Sequence, residues 1–280
     1  MKRDEALKKS EQALDELALA LEQGRSDTLV RYLDMLARFH RYSFGNCVLI
    51  AMQRPNATLV AGFNRWKEVG RWVKKGEQGI AILAPMVYRV EVRQNHDEAL
   101  EDKLSRLTSL CGFKVVHVFD VQQTEGKPLA EFATISGHPG ERLARLESVV
   151  RAKKIELIYA PIPGGALGTS EGGKITVLPG LGPAETFSVL THELAHELLH
   201  RTERRAETNK KVRETEAEAV AYVVCRAAGL DCSTRSSDYI QLYCGSKDTL
   251  QESLDHIQRV ASTIIAELET VPEQQDAQAA

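Results

Sequence analysis

The chain has 280 residues, 43% of them hydrophobic, and a formal net charge of -3. That length exceeds one comfortable core and suits two domains, while so small a charge gives no global pull on nucleic acid, so any basic site has to be local. The residues after Met1-Lys2-Arg3 turn charged instead of apolar, which excludes a signal peptide there, and no run reaches the roughly 18–20 apolar residues of a membrane span.

In chain order, Leu7, Leu14, Leu17 and Leu21 recur at helical spacing and predict a helix over 4–23, ended by Gly24. Ser26-Asp27 caps a second helix to about Phe39, and a short apolar helix over 46–53 stops at Pro55-Asn56. Strands are expected at 58–62, 80–84, 88–92 and 113–119, with a helical turn or two at 64–69. The charged stretch 94–106 reads as an exposed insertion or helix. Residues 122–140 carry glycine, proline and polar side chains and hold the domain boundary. A helix (141–151), a strand (155–160), a hairpin near Glu171-Gly172-Gly173 and a strand (174–178) follow. Pro183 suits the first position of the next helix, 184–200. Helices at 213–228, 237–243 and 247–269 complete the chain. The expectation is an α+β chain of two domains, 1–125 and 141–270, joined by a linker at 126–140 and ending in a disordered tail at 271–280. The cysteines (Cys47, Cys111, Cys225, Cys232 and Cys244) are odd in number, far apart and form no CxxC pair, which points to free thiols in a reducing cytoplasm.

The strongest chemical signal is His192-Glu193-Leu194-Ala195-His196. Residues four apart share one face of a helix, so His192 and His196 can hold one ion, zinc by donor type. Glu193 stands beside the open coordination position, where it can take a proton from an activated water and pass it to a leaving amine. Val189, Leu190, Leu194, Ala195, Leu198 and Leu199 make the helix a buried one. His200 continues the spacing but lies about 12 Å along the axis from His192, too far for the same ion; it reads as a helix-end histidine. A third ligand is expected from Glu214-Thr215-Glu216-Ala217-Glu218. Glu214 and Glu218 share a face, so one can ligate while the other orients a histidine; Glu216 points elsewhere. The strand at 175–178 is a candidate edge strand for pairing with an extended peptide.

HExxH followed by Glu214-x-x-Ala217-Glu218-x-Val220-Ala221 resembles the ImmA/IrrE-like branch of the zincin metallopeptidases. That resemblance implies Glu214 as the third ligand and Glu218 as the group behind a histidine, although the branch usually has asparagine where this chain has Glu218. In the N-terminal half, Arg41-Tyr42-Ser43-Phe44-Gly45-Asn46, Thr58-Leu59-Val60-Ala61-Gly62-Phe63, Trp66, Gly70-Arg71, Val73-Lys74-Lys75-Gly76-Glu77-Gln78-Gly79-Ile80 and Val118-Phe119-Asp120-Val121-x-Gln123-Thr124 resemble the single-stranded-DNA-binding domain of ArdC-type antirestriction proteins. In that family the domain precedes a metallopeptidase-like domain, the order found here. The resemblance implies single-stranded DNA as partner, one zinc ion (or manganese or another divalent ion) as cofactor, and a protein substrate for a zinc-dependent metallopeptidase. Arg65, Trp66, Lys67, Arg71, Lys74 and Lys75 are the candidate DNA contacts, since basic side chains follow phosphates and flat aromatics stack on unpaired bases. Two other readings stand beside it: a regulatory protease that cleaves a repressor, and a non-catalytic DNA-shielding protein with a structural metal site.

Overall fold

The computed structural model describes residues 1–23, 26–90, 107–127, 141–201, 203–230 and 247–270. Its contacts divide the chain into two compact units, Met1–Gln12 with Leu49–Lys127, and Ala13–Val48 with Pro128–Ala280. The change near residue 127 falls where the composition shifts. Residues 13–48, however, group with the C-terminal unit instead of with a continuous segment 1–125. The cause is visible at helix α2 (Ser26–Arg38), which packs on helix α8 (Lys210–Ala227). There Asp34 accepts hydrogen bonds from Tyr222 Oη at 2.9 Å and Arg226 Nε at 3.0 Å. Helices α1 (Arg3–Glu22) and α3 (Phe44–Gln53) each run across the division.

The first unit is built on a long antiparallel pair, β3 (Ile80–Val90) and β4 (Leu107–Asp120), in register from Ile80↔Val118 to Val90↔Leu107. The two strands expected at 80–84 and 88–92 are thus one strand, irregular between Met86 and Val87. Strand β1 (Val60–Gly62) pairs with the end of β4, and α4 (Phe63–Glu68) follows it. A separate pair, β2 (Arg71–Val73) with β5 (Thr124–Gly126), was not expected; three-residue strands are too short to show a period. Buried polar side chains pin these pieces. Asp120, fully buried, accepts from the backbone N–H groups of Thr58 and Leu59 and from that of Gln122. Gln123 accepts from Asp120 N and donates to the Gln78 carbonyl.

The second unit holds a three-stranded sheet in the order β6 (Glu156–Tyr159), β8 (Lys174–Val177), β7 (Gly168–Ser170). Strand β8 is parallel to β6 and antiparallel to β7. The segment 175–178 is therefore the middle of the sheet, paired on both sides, and not an edge strand; β7 is the edge that packs on helix α6 (Pro183–Leu199). Helix α6 starts with Pro183 in its first turn, after Gly182, as its ring predicts. Helix α8 starts at Asn209, whose side chain accepts from Val212 N at 2.9 Å. Helix α5 (Glu141–Ala152), the short α7 (Glu203–Glu207) and α9 (Lys247–Glu269) surround them. The core is apolar, with Leu146, Ile175, Phe187, Leu190, Leu194, Val220 and Ile264 fully buried. The expected insertion at 94–106, most of the linker, the helix at 237–243 and the tail at 271–280 lie outside the described residues.

Candidate metal centre

One turn apart on α6, His192 and His196 bring their Nε2 atoms to 3.1 Å. Glu214, on α8, places Oε2 3.6 Å from each. Among the described residues these three are the group able to share one ion, with ligand atoms all within 4.8 Å of one another. Three corners of a tetrahedral site with bonds of roughly 2.0–2.1 Å lie roughly 3.3–3.4 Å apart. The observed separations bracket that value, so the donor set fits a four-coordinate divalent ion.

The groups behind the ligands complete the fit. His192 Nδ1 lies 3.0 Å from Glu218 Oε2, so the ring donates backward to that carboxylate and turns Nε2 to the centre. Burial pulls the His192 pKa down, but hydrogen bonds to Glu214 and Glu218 and the charge of Glu193 outweigh it and hold it up to about 9. Glu214 is held well below the usual carboxylate range by the same histidines, His192 first and His196 next. The nest therefore favours a positive charge at the point where the donors converge. Glu193 differs. It is 8% exposed, and burial pushes its carboxyl up more than His192 and His196 pull it down. A Cβ on Gly168 would lie 2.7 Å from Glu193 Cγ and Oε1, so β7 reaches this carboxylate only because residue 168 has no side chain.

His200 and Glu216 occupy places that sequence spacing did not reveal. His200 Nδ1 lies 3.0 Å from His196 Nδ1, and His200 Nε2 lies 2.9 Å from Glu216 Oε2. Both are almost wholly buried. The one available signal was that His200 lies four residues after His196, on the same helix face. A third buried carboxylate, Glu197, faces the sheet. It accepts from Ser170 Oγ and from the backbone N–H groups of Gly172 and Gly173, and pairs with Arg201.

The candidate DNA contacts lie in the first unit and are of two kinds. Trp66 is 2% exposed and donates its indole N–H to the Phe119 carbonyl at 2.9 Å, so it is a core residue and not a stacking platform. Trp72 and Phe63, 52% and 45% exposed, are the most exposed aromatics among the described residues of this unit. Lys67 lies 4.8 Å over the Phe63 ring. Arg65 is paired with Glu68, and Arg71 donates to Thr124 Oγ1 and to two carbonyls. Lys74 and Lys75 are exposed beside the turn at Gly76, with Lys74 reaching the Gln122 carbonyl.

Residues 8–119 match the family described as the N-terminal domain of anti-restriction factor ArdC. This chain carries an ArdC-type N-terminal domain. An uncharacterized protein of Bacillus anthracis is 25% identical over 283 residues, which cover 88% of this chain and 48% of that protein. The chain thus spans about half the length of that curated relative. The Mn(II)-bound crystal structure of the antirestriction ArdC protein from plasmid R388 aligns with a TM-score of 0.50 at 15% identity. It covers 93% of this chain and 98% of its own, and shows likeness of fold. The metal-free structure of that protein aligns with a TM-score of 0.47 at 18% identity over 81% of this chain and 85% of its own. No helix among the described residues is long and apolar enough to cross a membrane.

Proposed function

We propose that this chain is an antirestriction-type protein that binds single-stranded DNA through its first unit and hydrolyses peptide bonds at a zincin-like metal site in its second. The observation that carries the reading is the convergence of His192, His196 and Glu214 with Glu193 beside them. Two histidines and a glutamate with an open fourth position are the donor set of catalytic zinc. Manganese is the other ion to test, because the related R388 structure is Mn(II)-bound. A bound ion of this kind supplies Lewis acidity to a water and to a carbonyl.

The chain's own residues supply the rest. Glu193 accepts a proton at its carboxylate and returns it to the leaving amine, and burial, which raises its pKa, makes it a better base than an exposed carboxylate. Glu218 keeps the His192 ring turned with Nε2 forward. An extended peptide laid on the free edge of β7 would add a strand to the sheet next to Glu193. In the first unit, Trp72 and Phe63 offer faces for bases, and Lys67, Lys74 and Lys75 offer charge for phosphates. Cys47 and Cys225 are buried and in no disulfide, which suits a reducing cytoplasm.

Metal analysis and a Glu193→Ala variant test this reading. Wild type is expected to hold one divalent ion per chain, and Glu193→Ala to keep the ion and lose biological protection of entering DNA. Full protection by Glu193→Ala removes hydrolysis from the mechanism and favours shielding alone. Repressor cleavage lost in Glu193→Ala, with no single-stranded-DNA affinity in wild type, favours the regulatory protease. DNA binding is expected to weaken steeply as salt rises, because phosphate contacts release counterions.

A further inference from the structure

We propose that His200 and Glu216 form a buried relay that fixes the tautomer of His196 and so presents its Nε2 lone pair to the ion. The proposal rests on the metal site above and assigns positioning roles to two residues that neither ligate nor react.

The argument is one of donors and acceptors. His196 Nδ1 and His200 Nδ1 face each other at 3.0 Å, so one carries the proton and the other does not. Glu216 decides which. Its Oε1 accepts from Arg204 Nη2 at 2.6 Å and from Ser253 Oγ at 2.7 Å, and the guanidinium keeps it a carboxylate. Its Oε2 can then only accept, and the group 2.9 Å away is His200 Nε2, which must donate. A neutral His200 that donates from Nε2 has a bare Nδ1. His196 Nδ1 must then donate to it, which leaves His196 Nε2 bare, pointing at His192 Nε2 and Glu214. His200 is 2% and Glu216 1% exposed, so water does not substitute for either partner. The other ligand, His192, is oriented in one step, its Nδ1 donating to Glu218. The relay also draws on more of the chain: His200 ends α6, Glu216 is on α8, Arg204 on α7 and Ser253 on α9.

Glu216→Gln tests the direction of the chain. Arg204 and Ser253 hold the carbonyl oxygen of the new amide, so its NH2 faces His200 Nε2. That reverses both rings and puts a proton on His196 Nε2. Two measurements read this: histidine 15N NMR of the metal-free protein, and Zn(II) and Mn(II) affinity by chelator competition. The expected results are a His196 Nδ1–H tautomer in wild type, an Nε2–H tautomer in Glu216→Gln, and a roughly 10–100-fold loss of affinity, as for other orienting partners. His200→Asn and His200→Leu keep the test decisive if Glu216→Gln does not fold. Asparagine still offers an acceptor to His196 Nδ1 and is expected to bind metal close to wild type, whereas leucine packs without one and is expected to bind as weakly as Glu216→Gln. A packing role alone predicts the reverse order and would overturn the relay. An Nε2–H tautomer of His196 in metal-free wild type would also overturn it. Wild type that binds neither ion would overturn the metal reading, while the tautomer measurement still decides the relay.

Discussion

Buried polar groups in the first unit bond mainly backbone, whereas behind the candidate metal centre of the second unit they bond one another. Asp120 and Gln123 satisfy mainly N–H and C=O groups where β1, β4 and the turn after β4 meet, with Arg54 and Glu77 as their side-chain partners. His196, His200, Glu216, Arg204 and Ser253 form a chain whose first member is a candidate metal ligand. The first pattern locks a shape. The second aims a lone pair, and it places several charges and imidazoles out of water, which is tolerable only when each is paired.

Substitutions can break or sharpen that contrast. The largest effect is expected from Trp66→Ala, which removes a core side chain of the first unit and should cost about 3–5 kcal/mol. Denaturant unfolding measures it; a loss under 1 kcal/mol, about the scale of surface changes, would contradict its core role. Glu197→Ala orphans the backbone N–H groups of Gly172 and Gly173 and is expected to cost about 3 kcal/mol, from roughly 1–3 kcal/mol per orphaned donor. Burial alone would raise the Glu197 pKa, but Ser170, the Gly173 and Gly172 N–H groups and Arg201 together hold it below its ordinary 4.5. Its contribution is therefore full above that pH and is lost as the pH falls through the folded value. The stability gap between wild type and Glu197→Ala should close on acidification; a constant gap would mean the carboxylate charge is irrelevant.

Gly168→Ala comes next. Its Cβ, 2.7 Å from Glu193 Cγ and Oε1 and from Val189 Cγ1, should displace the carboxylate. Hydrolysis is expected to slow by roughly 10–100-fold, the scale of a 1 Å misplacement, with metal content unchanged. Unaltered turnover would free Glu193 from that position. The smallest effect is Trp72→Ala, where loss of one exposed face should weaken single-stranded-DNA binding by about 1–3 kcal/mol and leave the melting temperature in place. If Trp72→Ala unfolds the protein and Trp66→Ala abolishes only binding, the two tryptophans have been assigned the wrong way round.

How much of this was legible in the sequence follows from range. His192, Glu193 and His196 are readable because their geometry is set within one helical turn. The long helices were readable for the same reason, through their apolar spacing. Glu214 is 18 positions beyond His196, and spacing alone left it in competition with Glu218; the family resemblance favoured it. Trp66 and Trp72 are six residues apart in similar company, and only the docking of α4 against β4 separates a core ring from an exposed one. The order β6–β8–β7 was illegible because β7 is three residues long and includes the glycine that lets it approach α6. The His200–Glu216 contact needs α6 and α8 side by side, which no local pattern encodes.

Ser253 has a consequence for any shortened form of this protein. A chain ending before Lys247 would keep His192, Glu193, His196, Glu214 and Glu218, and a motif search would score it intact. It would lack α9, hence one of the two donors to Glu216 Oε1 and the buried Leu254, Ile257 and Ile264 that pack with the rest of the unit. Such a truncation would disarm the site without touching one signature residue, so for this chain intact ligands are not the same as an intact centre.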